Sequence, residues 1–234
     1  MRHIMIIAAC AVLAACSMHE PTTAWYAKAS AGKPLTPAVE YVAHAPEFVQ
    51  RSNAAYDAAS AYIIARAPHL KRGSWAVVMD LDQTVMNNIG YHMAMDRAGE
   101  PFTPETWRAW TSEKQATLMP GALKFIRTVN AWGGHVAFVS NRRDYEQLAT
   151  EENLAALGLQ RGRDFRVLIT RAAPFGDSDK NARFALVPQV LRAQGYPNVR
   201  TIAYLGDVTG DAPRRLNGAR FFCIPQGGMY GENC

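Results

Sequence analysis

The sequence is short of cysteine, of low-complexity tracts and of long apolar runs. Only four of its 234 residues are cysteine, which argues against a small scaffold held together by disulfides. The apolar runs are too short for a protein that crosses a membrane several times. Hydrophobic residues make up 49% of the chain, which is too many for a disordered protein. These absences leave one globular domain as the expectation.

The chain also lacks a polybasic tail. It has 25 Lys and Arg against 20 Asp and Glu, and the basic residues are scattered along its length. Nucleic-acid-binding surfaces usually show as a clustered basic patch. We therefore expect no nucleic acid partner.

Residues 1–15 have the pattern of an export signal, because Arg2 precedes a short apolar run from 4 to 14. The run ends in Leu-Ala-Ala-Cys at Cys16, which resembles the lipobox where bacterial lipoprotein signals are cut and the cysteine is acylated. The alternative is an ordinary A-x-A cleavage site with an incidental cysteine. The lipobox predicts an outer-membrane lipoprotein facing the periplasm or the cell surface. Residues 16–36 would be a tether held to the membrane by lipid on Cys16.

The remaining cysteines agree with an oxidising compartment without proving it. Cys10 leaves with the signal, so that only Cys223 and Cys234 remain in the predicted domain. They could pair and close a short C-terminal loop, or stay as a buried thiol and a frayed terminus. The sequence leaves both open.

Short apolar runs rich in β-formers alternate with helical patterns along residues 37–234. Strands are predicted at 75–79, 135–139, 165–169, 201–205 and 221–224, and helices at 37–66, 121–130, 143–157 and 182–194. This alternation predicts an α/β fold, a Rossmann-like parallel sheet with helices on both faces. Ligands of such sheets bind beyond the carboxyl ends of the strands.

The stretch from about 85 to 119 interrupts the alternation between the first strand and its helix. An insertion here would overhang the strand ends, which predicts a small helical cap over the site. Its aromatic residues Tyr91, Trp107 and Trp110 either stack on an aromatic leaving group or form the core of the cap.

Acidic residues follow two of the predicted strands. Asp80 and Asp82 come directly after the first strand, and Asp207 and Asp211 follow the fourth. Two neighbouring acids repel unless a cation or a proton separates them, and carboxylate oxygens are ligands that Mg²⁺ prefers. The pattern therefore predicts a magnesium site, although each acid alone could belong to an ordinary acidic loop.

Groups that could bind phosphate occur at the same predicted edge. Ser140, Asn141 and Arg142 follow the second strand, and Lys180 and Arg183 lie at the start of a helix. Hydroxyl, amide, backbone N–H and ammonium groups together form a phosphate cradle. Taken singly, Lys180 could equally be a solvated helix residue.

These residues carry a family resemblance. The sequence resembles the haloacid-dehalogenase superfamily in four ordered motifs, Asp80-x-Asp82-x-Thr84, Ser140, Lys180 and Gly206-Asp207-x-x-x-Asp211. More narrowly it is similar to the bacterial lipoprotein acid phosphatases, the class C or outer-membrane lipoprotein 5′-nucleotidase group. The segments that carry this narrower likeness are 78–88, 101–102 with the two cap tryptophans, 120–122, 138–142, 179–184 and 229–231.

The resemblance implies a Mg²⁺-dependent acid phosphatase that hydrolyses nucleoside 5′-monophosphates and aryl phosphates through an aspartyl-phosphate. Asp80 would be the nucleophile and Asp82 the general acid and base. Asp80, the Asp82 carbonyl, Asp207 and Asp211 would hold the metal, and Thr84 would fix the turn. The alternatives are a phosphotransferase, a narrow sugar-phosphate phosphatase, or a surface lipoprotein that binds without turnover. The sequence does not decide whether the protein forms a homodimer.

The chain departs from the family pattern at a few positions beside these motifs. Gln83 and Asn87 stand where relatives commonly have acidic residues, Val208 replaces a frequent Asn, and the chain ends in Glu-Asn-Cys. These differences put the substrate preference and the surroundings of the metal in doubt.

Overall fold

The structure is a computed structural model that describes residues 24–172, 176–231 and 234. Its strands are β1 Trp75–Met79, β2 Met86–Asn87, β3 Thr117–Leu118, β4 His135–Arg143, β5 Val167–Arg171, β6 Arg200–Gly206 and β7 Arg220–Cys223. Its helices are α1 Ala24–Ala29, α2 Pro37–His44, α3 Pro46–Arg66, α4 Ile89–Ala98, α5 Pro104–Glu113, α6 Ala122–Ala131, α7 Gln147–Ala156 and α8 Asn181–Ala193. Three of these helices begin with proline, whose fixed φ suits the first helical position.

Five strands form one parallel sheet in the order β5-β4-β1-β6-β7. The predicted α/β fold with a parallel sheet is confirmed. β1 lies at the centre, with β4 and β6 as its neighbours. The carboxyl ends of these three strands therefore meet at one edge, where β1 and β6 deliver their acids.

Both faces of the sheet are buried, as in most parallel sheets. Along β1, Val77 and Met79 belong to the core beneath α3, α6 and α7, while Ala76 and Val78 pack on the opposite face. That second face is covered by α8 through side chains such as Val187. Strands with two covered faces read as continuous apolar runs, which is why β1 could be recognised in the sequence.

The second predicted strand and the following helix have different bounds in the structure. Strand β4 continues to Arg143, whose Cα pairs with Arg171 of β5 beyond an irregularity in the register. A 3₁₀ turn covers 144–146, and α7 begins only at Gln147. The polar residues at the end of β4 hid this extension, because the sequence shows no apolar periodicity there.

The inserted segment forms a small lobe of two helices and a two-stranded antiparallel pair, β2 with β3. Thr103 caps α5 by accepting a hydrogen bond from the backbone N–H of Thr106 at 3.1 Å. Tyr91 and Trp110 are almost completely buried, with ring centroids 6.3 Å apart. The insertion after the first strand is therefore helical, as predicted, and has an aromatic core of its own.

Part of the predicted tether is folded against this cap. Residues 24–29 form α1, and Trp25 packs on Tyr91 and Trp110 with centroid distances of 5.6 and 6.1 Å. The backbone of Thr36 donates to Asp96 of α4 at 2.7 Å. Residues 24–36 thus contact the cap instead of forming a free linker. The predicted signal and Cys16 lie outside the described residues. Lipidation of Cys16 therefore remains a prediction.

Cys223 of β7 and Cys234 form a disulfide, with their Cα atoms 5.6 Å apart. The structure thereby selects pairing between the two arrangements that the sequence left open. Across the described ranges, no helix combines the length and the apolar character needed to cross a bilayer.

Candidate active site

Three aspartates converge at the carboxyl edge of the sheet. Asp80 follows β1, and Asp207 and Asp211 follow the neighbouring strand β6. All three are buried, and one carboxylate oxygen of each lies within 4.8 Å of the others. The structure therefore brings together three of the four aspartates that the sequence singled out.

Among the described residues, Lys180 is the one basic side chain that contacts this cluster. It precedes the first residue of α8, and its buried Nζ donates to Asp80 Oδ1 and, at 2.6 Å, to Asp211 Oδ1. Burial opposes the ammonium charge, but Asp80 and Asp211 outweigh it and raise the pKa of Lys180. Lys180 is therefore an integral member of the acidic cluster, and the alternative of a solvated helix residue is wrong.

The loop after β6 is closed by Asp211. Its Oδ2 accepts from the backbone N–H groups of Asp207 and Val208 at 3.0 and 3.2 Å. A Cβ on Gly206 would lie only 2.0 Å from the Cβ of Asp211, so this turn requires glycine. Asp211 thus shapes the loop with one oxygen and binds Lys180 with the other.

The electrostatics of the cluster call for another cation. Asp207 Oδ2 is buried and has no hydrogen-bond partner among the described residues. Burial, followed by the charges of Asp80 and Asp211, raises the pKa of Asp207 well above its ordinary value. Burial also raises the pKa of Asp80 to about 7, against the opposing effect of Lys180. Three acidic groups with one ammonium and an unpartnered oxygen fit a divalent cation with oxygen ligands.

Asp82 lies outside this cluster and pairs with Arg142. The guanidinium donates to Asp82 from Nη2 at 2.7 Å and from Nε at 3.0 Å. Arg142 is itself buried and held by Thr150 at 3.1 Å. Sequence reasoning assigned Arg142 to the surroundings of the phosphate, whereas the structure shows it positioning the second aspartate.

Asn88 and Gln83 are site residues to which sequence reasoning gave no role in positioning Asp82. Asn88 donates to Asp82 Oδ1 at 2.9 Å and accepts from the indole N–H of Trp110 at 2.9 Å. Gln83 Oε1 in turn accepts from the backbone N–H of Asn88 at 2.6 Å. Trp110 therefore acts at the site through its N–H, a function that its aromatic character does not reveal.

The predicted phosphate-binding residues of β4 are fixed by Arg183 of α8. Its guanidinium donates to the backbone carbonyl of Ser140 and, at 2.6 Å, to Asn141 Oδ1. Ser140 Oγ accepts from the backbone N–H of Arg142 at 3.1 Å, which leaves its own O–H able to donate elsewhere. The Asn141 amide nitrogen likewise remains a donor.

Thr84 closes the turn that carries the first two aspartates. Its hydroxyl lies 3.4 Å from Asp207 Oδ1, and its carbonyl accepts from the hydroxyl of Tyr56 in α3. Burial, and then the charges of Asp207 and Asp80, raises the pKa of Tyr56 well above its usual value. Tyr56 stabilises the turn through this hydrogen bond. The sequence predicted only that Tyr56 lies on the apolar face of a helix.

A cavity of about 260 Å³ opens beside Asp82 and Asn141. Its walls include Trp107 and Tyr230. Tyr91 and Trp110 are both 1% exposed and lie in the core of the cap, which is one of the two alternatives that the sequence left open for them. Of the three predicted cap aromatics, Trp107 lines this cavity.

The chain resembles known acid phosphatases in both sequence and fold. The family described as HAD superfamily, subfamily IIIB (Acid phosphatase) matches residues 11–232. Among solved structures, the class C acid phosphatase from Bacillus anthracis is similar at 21% identity, with a TM-score of 0.67 over 81% of this chain and 82% of that one. The same enzyme with tungstate bound matches at 19% identity and a TM-score of 0.66, over 87% and 85% of the two chains. Since the family match extends over nearly the whole chain, the protein belongs to subfamily IIIB of the HAD superfamily, the acid phosphatases.

Proposed function

We propose that the protein hydrolyses phosphate monoesters with Mg²⁺ through an aspartyl-phosphate on Asp80. The observation that carries this proposal is the buried cluster of Asp80, Asp207 and Asp211 with Lys180, in which Asp207 Oδ2 has no partner among the described residues. When bound there by the three aspartates and the Asp82 carbonyl, Mg²⁺ would neutralise the phosphoryl oxygens and the carboxylates. The family membership supports a divalent metal at this position.

Asp80 acts as the nucleophile. One carboxylate oxygen attacks the phosphorus in line, a P–O bond to Asp80 forms, and the P–O bond to the leaving group breaks. A water molecule then attacks the same phosphorus and releases inorganic phosphate and the free carboxylate. The attack requires the charged form of Asp80. Burial raises the pKa of Asp80, and the positive charge of Lys180 opposes this and favours the charged carboxylate.

Asp82 transfers the protons. It protonates the departing oxygen in the first step and takes a proton from the attacking water in the second. Its carboxylate is already oriented by Arg142 and Asn88. Asp82 must therefore carry a proton when the leaving group departs and must be charged when the water attacks.

The remaining phosphoryl oxygens would be held by Ser140, Asn141 and Lys180. The Ser140 hydroxyl and the Asn141 amide are oriented by contacts that use their acceptor oxygens, so their donors stay available. Such charge-assisted contacts are strongest in a site from which water is excluded. A similar structure was solved with tungstate, a tetrahedral oxyanion like phosphate.

The leaving group would occupy the cavity of about 260 Å³ beside Asp82. Its aromatic wall, including Trp107 and Tyr230, favours nucleoside 5′-monophosphates and aryl phosphates over small sugar phosphates. We also propose that the enzyme is an outer-membrane lipoprotein acylated at Cys16. This rests on the lipobox in the sequence.

The test compares Asp80→Asn with Asp57→Asn on p-nitrophenyl phosphate in the presence of Mg²⁺. Asp57 is an exposed partner of Lys124 and provides a matched control far from the acidic cluster in sequence. We expect Asp80→Asn to lose at least about 10³-fold in kcat, because the nucleophile is removed, and Asp57→Asn to retain wild-type turnover. Undiminished turnover in Asp80→Asn would exclude Asp80 as the nucleophile. Activity that survives excess EDTA would exclude the metal role.

A further inference from the structure

Two arginines lie side by side at the carboxyl ends of β4 and β5. Arg143 and Arg171 are Cα partners in the parallel register, and both line the cavity beside Asp82. We call them the arginine pair. Neither has a role in the chemistry proposed above.

The described residues that line the cavity carry more positive than negative charge. Of the described acidic residues that line it, Asp82 is engaged by the guanidinium of Arg142. The other, Glu146, accepts from the backbone N–H of Arg143 at 2.6 Å and from Thr111 Oγ1 at 2.8 Å. The described lining of the cavity thus holds three arginines and two acidic residues, an excess of one positive charge.

Arg171 shows the effect of this imbalance. Its Nε is buried and has no hydrogen-bond partner within the described part of the chain. Burial, followed by the like charge of Arg143, lowers the pKa of Arg171 despite the opposing charges of Glu146 and Asp177. A buried guanidinium N–H without a partner costs free energy that an anionic ligand would recover.

The rest of the cavity wall defines what would reach the pair. Phe102, Trp107 and Tyr230 supply ring faces, while burial lowers the pKa of His92 to about 4 and keeps it uncharged near neutral pH. Asp82, beside which the leaving oxygen must receive its proton, and the arginine pair line the same cavity. A leaving group that fills it can therefore contact both aromatic surface and positive charge.

Building on the proposed phosphatase function, we propose that the arginine pair binds a second anionic group on an aromatic leaving group. The favoured substrates are then phosphate monoesters whose leaving group carries both a ring and a further phosphate or carboxylate. Nucleoside bisphosphates and carboxyaryl phosphates share this chemistry.

The experiment measures kcat and KM for two matched substrate pairs at fixed ionic strength. Adenosine 3′,5′-bisphosphate is compared with adenosine 5′-monophosphate, and 4-carboxyphenyl phosphate with phenyl phosphate. For the bisphosphate, release of adenosine 3′-monophosphate shows that the 5′-ester was cleaved. The variants are Arg171→Gln and Arg143→Gln, with Arg200→Gln as a control that removes an equal charge from an exposed residue at the opposite end of β6.

We expect the wild type to prefer the anion-bearing member of at least one pair by about tenfold in kcat/KM, since hydrogen bonds to charged groups are the stronger ones. The pair that shows the preference identifies the anion. Arg171→Gln or Arg143→Gln should abolish it through KM and leave the plain substrates little changed, whereas Arg200→Gln should preserve it.

Absence of a preference in both pairs would overturn the inference. An equal loss on all four substrates in both Arg171→Gln and Arg143→Gln would also overturn it, because the arginines would then have a purely structural role. Failure of the wild type to hydrolyse any of the four would instead refute the proposed function. In that case, calorimetry would measure the binding of the same four compounds to the wild type and the variants. Tighter binding of the anion-bearing compounds that is lost in Arg171→Gln or Arg143→Gln would support the subsite, and equal binding within both pairs would overturn it.

Discussion

Replacing Lys180 with methionine removes the ammonium that holds the acidic cluster together. Asp80 and Asp211 then lose the partner that each contacts, while both stay buried. Removing one partner of a buried ion pair typically costs about 3–5 kcal/mol, because the other charge is left uncompensated. With a urea m-value of about 3 kcal/mol/M, the unfolding midpoint should fall by about 1–1.7 M.

A control for this substitution is present on the surface. Lys124 pairs with Asp57 at 2.8 Å, but the two side chains are 73% and 60% exposed. Exposed pairs contribute about 0–1 kcal/mol, so Lys124→Met should shift the midpoint by less than about 0.3 M. Both variants lose the same charge and the same side-chain amine, which leaves burial as the difference between them.

The pH dependence of the Lys180→Met deficit provides a second test. Burial raises the pKa of Asp80 to about 7 in the folded protein, well above the value of the unfolded chain. A raised pKa means that the folded state binds the proton more tightly, so the contribution of Asp80 to stability is lost as the pH rises toward 7. Lys180 opposes that loss. Without metal, the deficit should therefore be larger at pH 7 than at pH 5.

The measurement is urea unfolding in EDTA at both pH values, followed by circular dichroism. Equal midpoint shifts for Lys180→Met and Lys124→Met would refute the electrostatic account of the cluster. A deficit that grows toward acidic pH would refute the assigned direction of the Asp80 shift.

Three further predictions concern the metal site, the cap and the disulfide. Burial raises the pKa of Asp207 well above its ordinary value, so the charged form of this group is unfavourable in the folded protein without metal. In EDTA at pH 7, Asp207→Asn should therefore be more stable towards urea than the wild type, and it should lose stabilisation by Mg²⁺; a less stable variant contradicts this. Trp110→Phe removes the donor to Asn88 and should lower kcat more than it raises KM, as steady-state kinetics would show; an unchanged kcat would exclude this positioning role. Replacing Cys223 and Cys234 with serine should lower the free energy of unfolding by about 2.8 kcal/mol, the value expected for a loop of this length. An unfolding midpoint that changes neither with the substitution nor with reductant contradicts this.

The sequence predicted the parallel sheet and the meeting of three of the four aspartates at its edge, because both depend on local order along the chain. Met79 ends an apolar run at Asp80, and the parallel arrangement then places Asp207 of the adjacent strand beside it. Lys180 could be recognised from the ordered motifs. Because Asp80 and Asp207 both follow parallel strands, their meeting could be predicted without knowing the direction of any side chain.

The partners of Asp82 could not be predicted in the same way. Arg142 lies 60 residues further along the chain, and its neighbours alone made it a candidate for phosphate binding. For Trp110 the sequence left stacking on substrate or packing in the cap core open, and neither alternative includes the hydrogen bond that its buried N–H donates to Asn88. The direction of a side chain depends on packing that the linear pattern does not contain.

The contact of Trp25 with the cap bears on where the protein can be shortened. A recombinant version that starts at residue 37 would uncover one face of Tyr91 and of Trp110. Trp110 also donates to Asn88, which in turn donates to Asp82, so loosening the packing of Trp110 should slow the proton transfer that we propose for Asp82. A trimmed protein intended for crystals or kinetics should therefore begin before residue 24.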